Sequence, residues 1–316
     1  MKKSVLFIDT VHPALENKLN EHGWTCIDGT SWNKKTLISD IGKYTGVVIR
    51  SRFRLDQEIL SHAHELKFIA RAGAGMENID VPFAHSRKII CINAPEGNRN
   101  AVAEHALGML LALMNNLVVA DLEVRTGTWL REENRGVELD GKTIGIIGFG
   151  NTGSTFASKL KGFDVEILAY DPYIKIDTSI HTNVMQSEMS SIHSRCDILS
   201  LHIPLTEETH VMVNENYFSA FKKPIYFLNT SRGKIVKTDD LVNSIKKGKV
   251  KGAALDVLDF ESISFENLDA SNFPASFLEL TKMKNVILSP HVAGWTFESH
   301  QKISEVLAAK ILNQFS

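Results

Sequence analysis

The chain has few cysteines and no long apolar run. Its 316 residues include three cysteines, Cys26, Cys91 and Cys196, which form neither a CxxC pair nor a zinc spacing. We therefore expect reduced core thiols, no metal site and a cytoplasmic protein. The first apolar run, "VLFI", ends at Asp9 and is too short for a signal peptide. No stretch reaches the length of a transmembrane helix.

The chain also lacks an excess of charge of either sign. Lys and Arg number 35 against 37 Asp and Glu, for a formal net charge of −2. This balance gives no reason to expect nucleic acid or a membrane as a partner. With 43% hydrophobic residues, the chain is long enough to form two domains, each with its own core.

Short apolar runs alternate with longer amphipathic stretches along the whole sequence. Ten runs are predicted to be strands: "VLFI", "GVVIR", "KFIARAG", "KIICINA", "TIGIIGFG", "EILAYD", "DILSLHI", "IYFLNTS", "GAALDV" and "NVILSP". Continuous apolar strands separated by helices indicate an α/β fold with parallel sheets that are covered on both faces. We place one domain at 1–94 plus 292–316, joined by a returning C-terminal helix, and the other at 95–291.

A glycine-rich turn follows the strand "TIGIIG". Gly148, Gly150 and Gly153 have GxGxxG spacing, Asn151 and Thr152 lie between them at the start of a helix, and the next strand ends in Asp171. A strand, this turn, a helix and a distal acid together predict a Rossmann dinucleotide site, with the pyrophosphate at the helix N-terminus. A carboxylate at Asp171 repels a 2′-phosphate, so NAD is favoured over NADP.

Three chemically active side chains follow other strands of the same domain. Arg232 follows "IYFLNTS", Glu261 lies just beyond "GAALDV", and His291 follows "NVILSP". Each alone has a structural explanation as a turn, surface or capping residue. Because ligands bind at the carboxyl ends of parallel strands, all three at this edge predict a catalytic site.

The first domain has a second polar strand end. Arg50, Ser51 and Arg52 follow "GVVI", "GAGMEN" follows another strand, and Asn98 follows a third. A basic pair beside a glycine turn with free N–H groups favours an anion-binding edge, although a solvated basic turn is the simpler alternative. Two such edges facing each other would form an interdomain cleft.

Seven ordered motifs make the chain similar to one family. "GFGNTG" with Asp171, "LNTSRGKIV", "GAALDVLDFE" and "SPHVAG" resemble the D-isomer-specific 2-hydroxyacid dehydrogenases. "RSRFRLD", "RAGAGMENID" and "NAPEGNRNAVAEHALG" resemble its 3-phosphoglycerate dehydrogenase branch. The resemblance implies a Rossmann NAD-binding domain at 95–291 and a smaller flavodoxin-like substrate domain, with catalysis by Arg232, Glu261 and His291.

The same resemblance assigns further site residues. It implies that Ala74, Gly75 and Asn98 bind the carboxylate or hydroxyl of the substrate, and that Arg50, Ser51 and Arg52 bind its distal phosphate. On the cofactor side it implies contacts from Asn151, Thr152, His202, Pro204, Thr230, Asp256, His291 and Gly294.

The proposed chemistry needs these residue types. Hydride transfer at C2 of a 2-hydroxy acid requires a proton to move at the C2 oxygen, and histidine titrates near neutral pH. Glu261 would orient the His291 ring and favour its charged form. Arg232 can hold the planar carboxylate with paired hydrogen bonds.

The sequence departs from the family pattern at three places. Ser262 follows Glu261 where proline is common, the 262–285 segment is long, and Trp295 stands where a small residue is usual. An indole near the pocket would change which substrate fits. The sequence ends at Ser316, so we expect no regulatory domain there and no serine feedback through one.

The sequence leaves several functions open. The first is an NAD-dependent D-3-phosphoglycerate dehydrogenase of serine biosynthesis, and the near alternative is a reductase of glyoxylate, hydroxypyruvate or another 2-keto acid. A non-catalytic, NAD-sensing scaffold of the corepressor type is more remote. The 118–139 segment is too long for a simple loop, and in the resembling family such an arm embraces a second subunit, so a homodimer is expected.

Overall fold

The computed structural model describes residues 3–261 and 273–315. By contacts the chain divides into two units, one with its described residues in 3–99 and 295–315, the other in 100–261 and 273–294. Our predicted boundaries, after 94 and 291, place the start of the long helix in the other domain. Gly97, in the first turn of that helix, lies so close to Ile303 that a Cβ would come within 2.6 Å of its backbone.

Twelve strands and twelve α-helices form among the described residues. The strands are β1 (Ser4–Phe7), β2 (Thr25–Asp28), β3 (Gly46–Ile49), β4 (Phe68–Arg71), β5 (Ile90–Ile92), β6 (Thr143–Ile147), β7 (Glu166–Tyr170), β8 (Val184–Gln186), β9 (Ile198–Leu201), β10 (Ile225–Asn229), β11 (Val250–Leu255) and β12 (Val286–Leu288). The helices are α1 (Pro13–Glu21), α2 (Lys34–Asp40), α3 (Gln57–Leu60), α4 (Val81–Ser86), α5 (Pro95–Met114), α6 (Leu117–Arg125), α7 (Asn151–Lys159), α8 (Met189–Arg195), α9 (Glu215–Ser219), α10 (Thr238–Lys246), α11 (Ala275–Leu280) and α12 (Phe297–Phe315).

The first unit is a parallel sheet with two cores. Its strand order is β2-β1-β3-β4-β5, the 2-1-3-4-5 order of flavodoxin-like folds. One core contains Val5, Val48 and Phe68 with the apolar face of α12, and the other contains Leu6, Val47 and Ile69. Alternate residues of each strand thus enter opposite cores, which explains why these strands read as continuous apolar runs.

The second unit has the strand order β12-β11-β10-β9-β6-β7-β8, with every pair parallel. Counted from β6, the order is 3-2-1-4-5-6-7, a Rossmann arrangement with one added strand. The chain reverses its direction of travel across the sheet between β8 and β9, so the switch point lies beside the end of β6. The α/β class and the two parallel-sheet domains are confirmed.

Two strands escaped prediction. β2 and β8 are edge strands, and their residues are mostly exposed or half-buried. An edge strand with a solvated face lacks the continuous apolar run used to find its neighbours. The predicted number of strands, ten, was therefore too low.

The cysteine prediction was correct only in part. All three thiols are free, but Cys196 is buried whereas Cys26 and Cys91 are half-buried. Burial raises the pKa of Cys26 and of Cys91 to about 11 and that of Cys196 to about 12. The thiols therefore stay protonated at neutral pH and are poor nucleophiles.

The segment predicted as an arm begins with α6. This helix has no buried residue. Even its apolar side chains are exposed, Leu117 by 56% and Leu122 by 60%. No single helix of residues 3–261 and 273–315 is long and apolar enough to span a membrane; α5 and α6 reach that length and apolarity only together, across a bend of 62°.

Candidate active site

The turn after β6 is shaped by its glycines. Gly148 has φ +88°, and a Cβ there would lie 2.4 Å from the carbonyl oxygen of His202. At Gly153 a Cβ would lie 2.1 Å from the carbonyl oxygen of Gly148. The first glycine is required by its left-handed backbone and the third by close packing of helix on turn, as the GxGxxG pattern predicts.

The middle glycine tests whether a dinucleotide fits. A Cβ at Gly150 would meet no protein atom within 4 Å, so protein packing does not require glycine here. Asn151 and Thr152 begin α7 immediately after it, and their N–H groups belong to the unpaired first turn of a helix. A residue without a side chain, beside unpaired donors and open space, fits a site where a pyrophosphate approaches the backbone.

Asp171 follows β7 and is already part of the turn. Its carboxylate accepts hydrogen bonds from Phe149 N at 2.8 Å, Tyr173 N at 2.9 Å and Ile174 N at 3.0 Å. A carboxylate has about four acceptor positions, so one remains for a ribose hydroxyl. Thr230, predicted to contact the nicotinamide side, has its Oγ1 buried without a partner among the described residues, as an atom that hydrogen-bonds a ligand would be. The residues present fit the predicted NAD.

Gly150→Ala should separate cofactor binding from folding. The methyl group meets no protein atom within 4 Å, so we expect the stability of the parent. NADH affinity should fall at least about tenfold, because the methyl group lies where the pyrophosphate approaches. Fluorescence titration with NADH measures this. Gly162→Ala is the matched control, since a Cβ there also meets nothing, and equal affinities of the two variants would contradict the prediction.

His202 follows β9 but its side chain is packed as a core residue. It is 9% exposed, its Nε2 lies 2.9 Å from Ser200 Oγ, and its ring centroid lies 5.2 Å from that of Phe156. The residue contributes to the glycine turn through its backbone, which faces Gly148. Pro204, two residues on, is exposed, and its carbonyl accepts from Thr209 Oγ1 at 2.7 Å.

The burial of His202 predicts loss of stability in acid. Desolvation lowers its pKa to about 3, so the folded state keeps the ring neutral while an unfolded chain protonates it below about pH 6.5. Stability should therefore fall from pH 6.5 towards pH 3, by about 2 kcal/mol at pH 5 from this group alone. Urea unfolding at pH 7 and pH 5 should show a smaller loss for His202→Asn than for the parent. His210→Asn, at an exposed histidine, should lose as much as the parent; the same loss in all three proteins would refute the assignment.

Arg232 lies in a turn built by its neighbours. Asn229, 1% exposed, accepts from Ser231 N at 3.0 Å and donates to the carbonyl of Arg232 at 3.1 Å. Ser231 Oγ donates to the carbonyl of Leu201 at 2.6 Å, which links β10 to β9. Gly233 packs against Leu258, whose carbonyl oxygen would lie 1.9 Å from a Cβ. The turn therefore places Arg232 beside the segment that leads to Glu261.

Glu261 and His291 form a direct pair. The Nδ1 atom of His291 lies 2.7 Å from Glu261 Oε2, and the side chains are 21% and 14% exposed. The other carboxylate oxygen, Oε1, accepts from Leu258 N. With both oxygens engaged, the carboxylate orients the ring and sets Nδ1 as the protonated nitrogen of the neutral form. The predicted pair is thus brought together from positions 30 residues apart.

The side chain of Asp256 bonds to the loop that carries His291. Its carboxylate accepts from Ser289 Oγ at 2.6 Å, Val292 N at 2.9 Å and Ala293 N at 2.9 Å, and it is 1% exposed. The contact with the nicotinamide side stays a prediction, whereas the anchoring role was missed. Gly294 ends this unit.

The loop after β3 is held by Asp9, whose place in the sequence indicated only the end of the first apolar run. Asp9 Oδ2 accepts from the N–H groups of Arg50, Ser51 and Arg52 at 2.7, 2.9 and 3.1 Å. Asp9 is 7% exposed. These donors are therefore used within the protein, and an anion at this loop depends on the arginine side chains.

The side chains of Arg50 and Arg52 have different partners. The guanidinium of Arg52 donates to the carbonyl oxygens of Thr30 and, at 2.8 Å, Trp32. That of Arg50 lies over the indole of Trp295, 4.8 Å from the ring centroid. The carbonyl partners hold the guanidinium of Arg52 without neutralising its charge, and the indole of Trp295 packs against that of Arg50.

The turn after β4 provides further donors. The N–H groups of Ala74 and Gly75 make no hydrogen bond within the described part of the chain, and Asn98 Oδ1 is buried without a partner there. Asn93 Nδ2 donates to the carbonyl of Ala74 at 2.6 Å and fixes the turn. The donors after β4 and the amide of Asn98, in the first turn of α5, fit the predicted binding of a carboxylate or hydroxyl.

Comparison with known proteins gives one family. Residues 107–293 match the model described as "D-isomer specific 2-hydroxyacid dehydrogenase, NAD binding domain". A crystal structure of D-lactate dehydrogenase from Aquifex aeolicus, complexed with NAD and lactic acid, superposes with a TM-score of 0.83 at 27% identity, covering 98% of this chain and 95% of that one.

Curated relatives bear two different names. D-3-phosphoglycerate dehydrogenase of Archaeoglobus fulgidus is 35% identical over 284 residues, 90% of this chain and 52% of that protein. Glyoxylate reductase of Thermofilum pendens is 37% identical over 264 residues, 82% of this chain and 75% of that protein. The chain thus spans about half the length of the phosphoglycerate dehydrogenase relative.

Proposed function

Because the chain belongs to the family of D-isomer-specific 2-hydroxyacid dehydrogenases and carries its NAD-binding domain, we propose that it oxidises a D-2-hydroxy acid, or reduces the 2-keto acid, with NAD. The pair formed by Glu261 and His291, with Nδ1 and Oε2 2.7 Å apart, carries the proposal. Turnover of any 2-hydroxy acid separates this function from that of a non-catalytic, NAD-sensing scaffold.

The residues divide the chemistry between them. Bound NAD supplies the hydride acceptor. Glu261 holds Nδ1 of His291, so Nε2 is the nitrogen that takes the proton from the C2 hydroxyl in oxidation and returns it to the C2 oxygen in reduction. The negative charge of Glu261 stabilises the imidazolium formed in oxidation. Arg232 binds the carboxylate at C1 through its planar fork and polarises the C2 oxygen.

For the substrate we propose a phosphorylated acid, 3-phosphoglycerate, which would place the enzyme in serine biosynthesis. Support comes from Arg52, whose guanidinium contacts carbonyl oxygens and so keeps its charge for a phosphate, and from the position of Arg50 on the same loop after β3. The phosphoglycerate dehydrogenase name of a relative 35% identical points the same way.

A matched substrate panel tests this choice. NADH oxidation is followed with 3-phosphohydroxypyruvate, hydroxypyruvate, glyoxylate and pyruvate. We expect kcat/KM to favour the phosphorylated acid over hydroxypyruvate by about 10-fold to 100-fold, the size of one charge-assisted contact. Arg52→Gln should remove most of that preference, while Arg54→Gln, at an exposed neighbour, should keep it. Equal use of the two acids by the parent would reject the phosphate.

A second candidate is a reductase of glyoxylate, hydroxypyruvate or a similar unphosphorylated keto acid. The specific observation is that Asp9 already takes the N–H groups of the 50–52 loop, which brings a carboxylate charge close to the expected phosphate position. The glyoxylate reductase relative is 37% identical. In the panel, this function predicts the highest kcat/KM with glyoxylate or hydroxypyruvate.

We further propose that the enzyme is a homodimer formed through the 117–137 segment. Of the fourteen large apolar side chains exposed among the described residues, seven lie there: Leu117, Val118, Leu122, Val124, Trp129, Leu130 and Val137. An apolar helix with no buried residue followed by an indole 79% exposed is typical of an interface rather than of a free surface. A second copy supplies the same apolar face, as a two-fold interface requires.

Light scattering after size exclusion tests the dimer. The parent should have twice the chain mass at micromolar concentration, and the double variant Leu122→Glu with Trp129→Glu should be a monomer. Met185→Glu is the control, because that apolar side chain is 51% exposed on another element, β8. A parent that elutes with the mass of one chain would reject the dimer.

A further inference from the structure

The backbone at His291 is in an unusual conformation. Its φ is +54°, in the left-handed region that residues with a side chain seldom adopt. β12 ends at Leu288, and the loop turns sharply through Ser289 and Pro290 before reaching the histidine. Such a conformation persists only where surrounding contacts hold it.

Asp256 supplies most of those contacts. Its backbone carbonyl accepts from His291 N at 2.8 Å. Its carboxylate accepts from the two following N–H groups, Val292 and Ala293, both at 2.9 Å, and from Ser289 Oγ at 2.6 Å. One buried residue therefore holds the loop on both sides of the histidine, and any change in the direction of its carboxylate would move the catalytic ring.

His105 approaches this carboxylate from α5. Its Nε2 lies 2.9 Å from Ser289 Oγ and 3.6 Å from Asp256 Oδ1. Its side chain is 27% exposed, against 1% for that of Asp256. The carboxylate thus has an imidazole nearby on the side of Ser289, contributed by a residue 184 positions before Ser289 in the chain.

The direction of these hydrogen bonds follows from the groups themselves. An ionised carboxylate only accepts, and a serine hydroxyl has one hydrogen to donate. Ser289 therefore donates to Asp256, and its oxygen must accept from His105, which carries a hydrogen on Nε2. The alternative acceptor for Ser289, the sulfur of Met109 at 3.7 Å, is much weaker.

We propose that His105 is a positioning residue for catalysis: through Ser289 it fixes the carboxylate of Asp256, which in turn holds His291 in its left-handed conformation. The proposal rests on the proposed role of His291 as the acid and base. Without the imidazole, Ser289 can rotate away, the carboxylate loses a partner, and the ring of His291 is poorly aligned in part of the molecules. The proton transfer then slows while the glycine turn, and hence cofactor binding, is unchanged.

Steady-state kinetics of three variants test the proposal. His105→Leu should lower kcat about 10-fold to 100-fold, the cost of a small misplacement of a catalytic group, with NADH affinity within about twofold of the parent. His105→Gln places an amide donor near the position of Nε2 and should recover most of the loss. His64→Leu, at an exposed histidine, is the control and should behave as the parent.

A readout that a merely structural role would not move is the primary isotope effect with 4-deuterated NADH. Partial unfolding lowers the amount of active enzyme but leaves this effect unchanged, whereas slowing of a concerted step, in which the proton and the hydride move together, raises it. We expect a larger effect in His105→Leu than in the parent. Parental kcat and isotope effect in His105→Leu, or a His105→Gln variant no better than His105→Leu, would overturn the proposal.

Ser289→Ala removes the hydroxyl that links His105 to Asp256. It therefore tests the same hydrogen bonds, and it is the deciding variant if His105→Leu does not fold. Ser289→Ala should lower kcat about as much as His105→Leu does. The double variant should have a kcat little lower than that of either single variant, because both changes remove the same series of hydrogen bonds. Fully additive losses, or parental kcat in Ser289→Ala, would count against the proposal. An active His291→Ala protein would instead overturn the proposed function itself.

Discussion

His291→Ala should lower kcat for keto-acid reduction by about 10²-fold to 10⁴-fold, the range expected when a positioned acid or base is lost. In the proposed mechanism the ring is the acid that delivers a proton to the C2 oxygen, and water replaces it poorly. NADH affinity should stay near that of the parent, because Gly150 and Asp171 are unchanged. Stopped-flow measurement of NADH oxidation and a fluorescence titration with NADH provide the two values.

Two companion variants show whether the histidine acts as one of a pair. In the parent, Glu261 Oε2 lies 2.7 Å from Nδ1 of His291. Glu261→Gln keeps an amide partner for Nδ1 but removes the negative charge, so the loss of kcat should be smaller than that caused by His291→Ala. The double variant should be no slower than His291→Ala alone, because the glutamate acts through the ring. His210→Ala, at an exposed histidine, is the control. Near-parental turnover by His291→Ala would mean that the histidine is only a loop residue.

The parts of the fold that could be predicted from the sequence are those whose signal is local. The central strands read as apolar runs because both of their faces are buried, as in β6 with Ile146 and Ile147. The glycine spacing predicted the turn because each requirement, a positive φ at Gly148 and close packing at Gly153, acts within a few residues. The ends of the strands could also be located from the local sequence. Because Glu261 and His291 each follow a strand of one parallel sheet, they were predicted to lie at the same edge of that sheet.

What could not be predicted depends on contacts between distant residues. Asp9 accepts from Arg50 across 41 positions and His105 meets Ser289 across 184, and neither contact leaves a local pattern. The ligand contacts of His202 stay a prediction. Its side chain packs against Phe156 as a core residue, which the sequence does not indicate because a residue at a strand end can point either into the core or out of it. The left-handed backbone of His291 likewise results from the contacts of Asp256 rather than from its own residue type.

Arg232→Ala should have the second largest effect, a loss of about 10²-fold to 10³-fold in kcat/KM, or about 2.7–4 kcal/mol of transition-state stabilisation. The guanidinium is expected to bind the carboxylate in both ground and transition states and to polarise the C2 oxygen only in the latter. KM should therefore rise and kcat should also fall. Arg232→Lys keeps the charge but loses the paired geometry, so it should recover only part of the loss.

The turn itself provides the control for this change. Lys234 lies two residues away and is exposed, so Lys234→Ala removes one positive charge from the same turn and should leave kcat/KM within about twofold of the parent. Asn229 and Ser231 hold the turn through their own bonds, so Arg232→Ala should leave a cavity of the right shape for added guanidinium. Millimolar guanidinium should then restore part of the activity of Arg232→Ala and none of that of His291→Ala. If both alanine variants of the turn lose activity equally, and guanidinium restores neither, Arg232 acts only through general charge and the carboxylate is bound elsewhere.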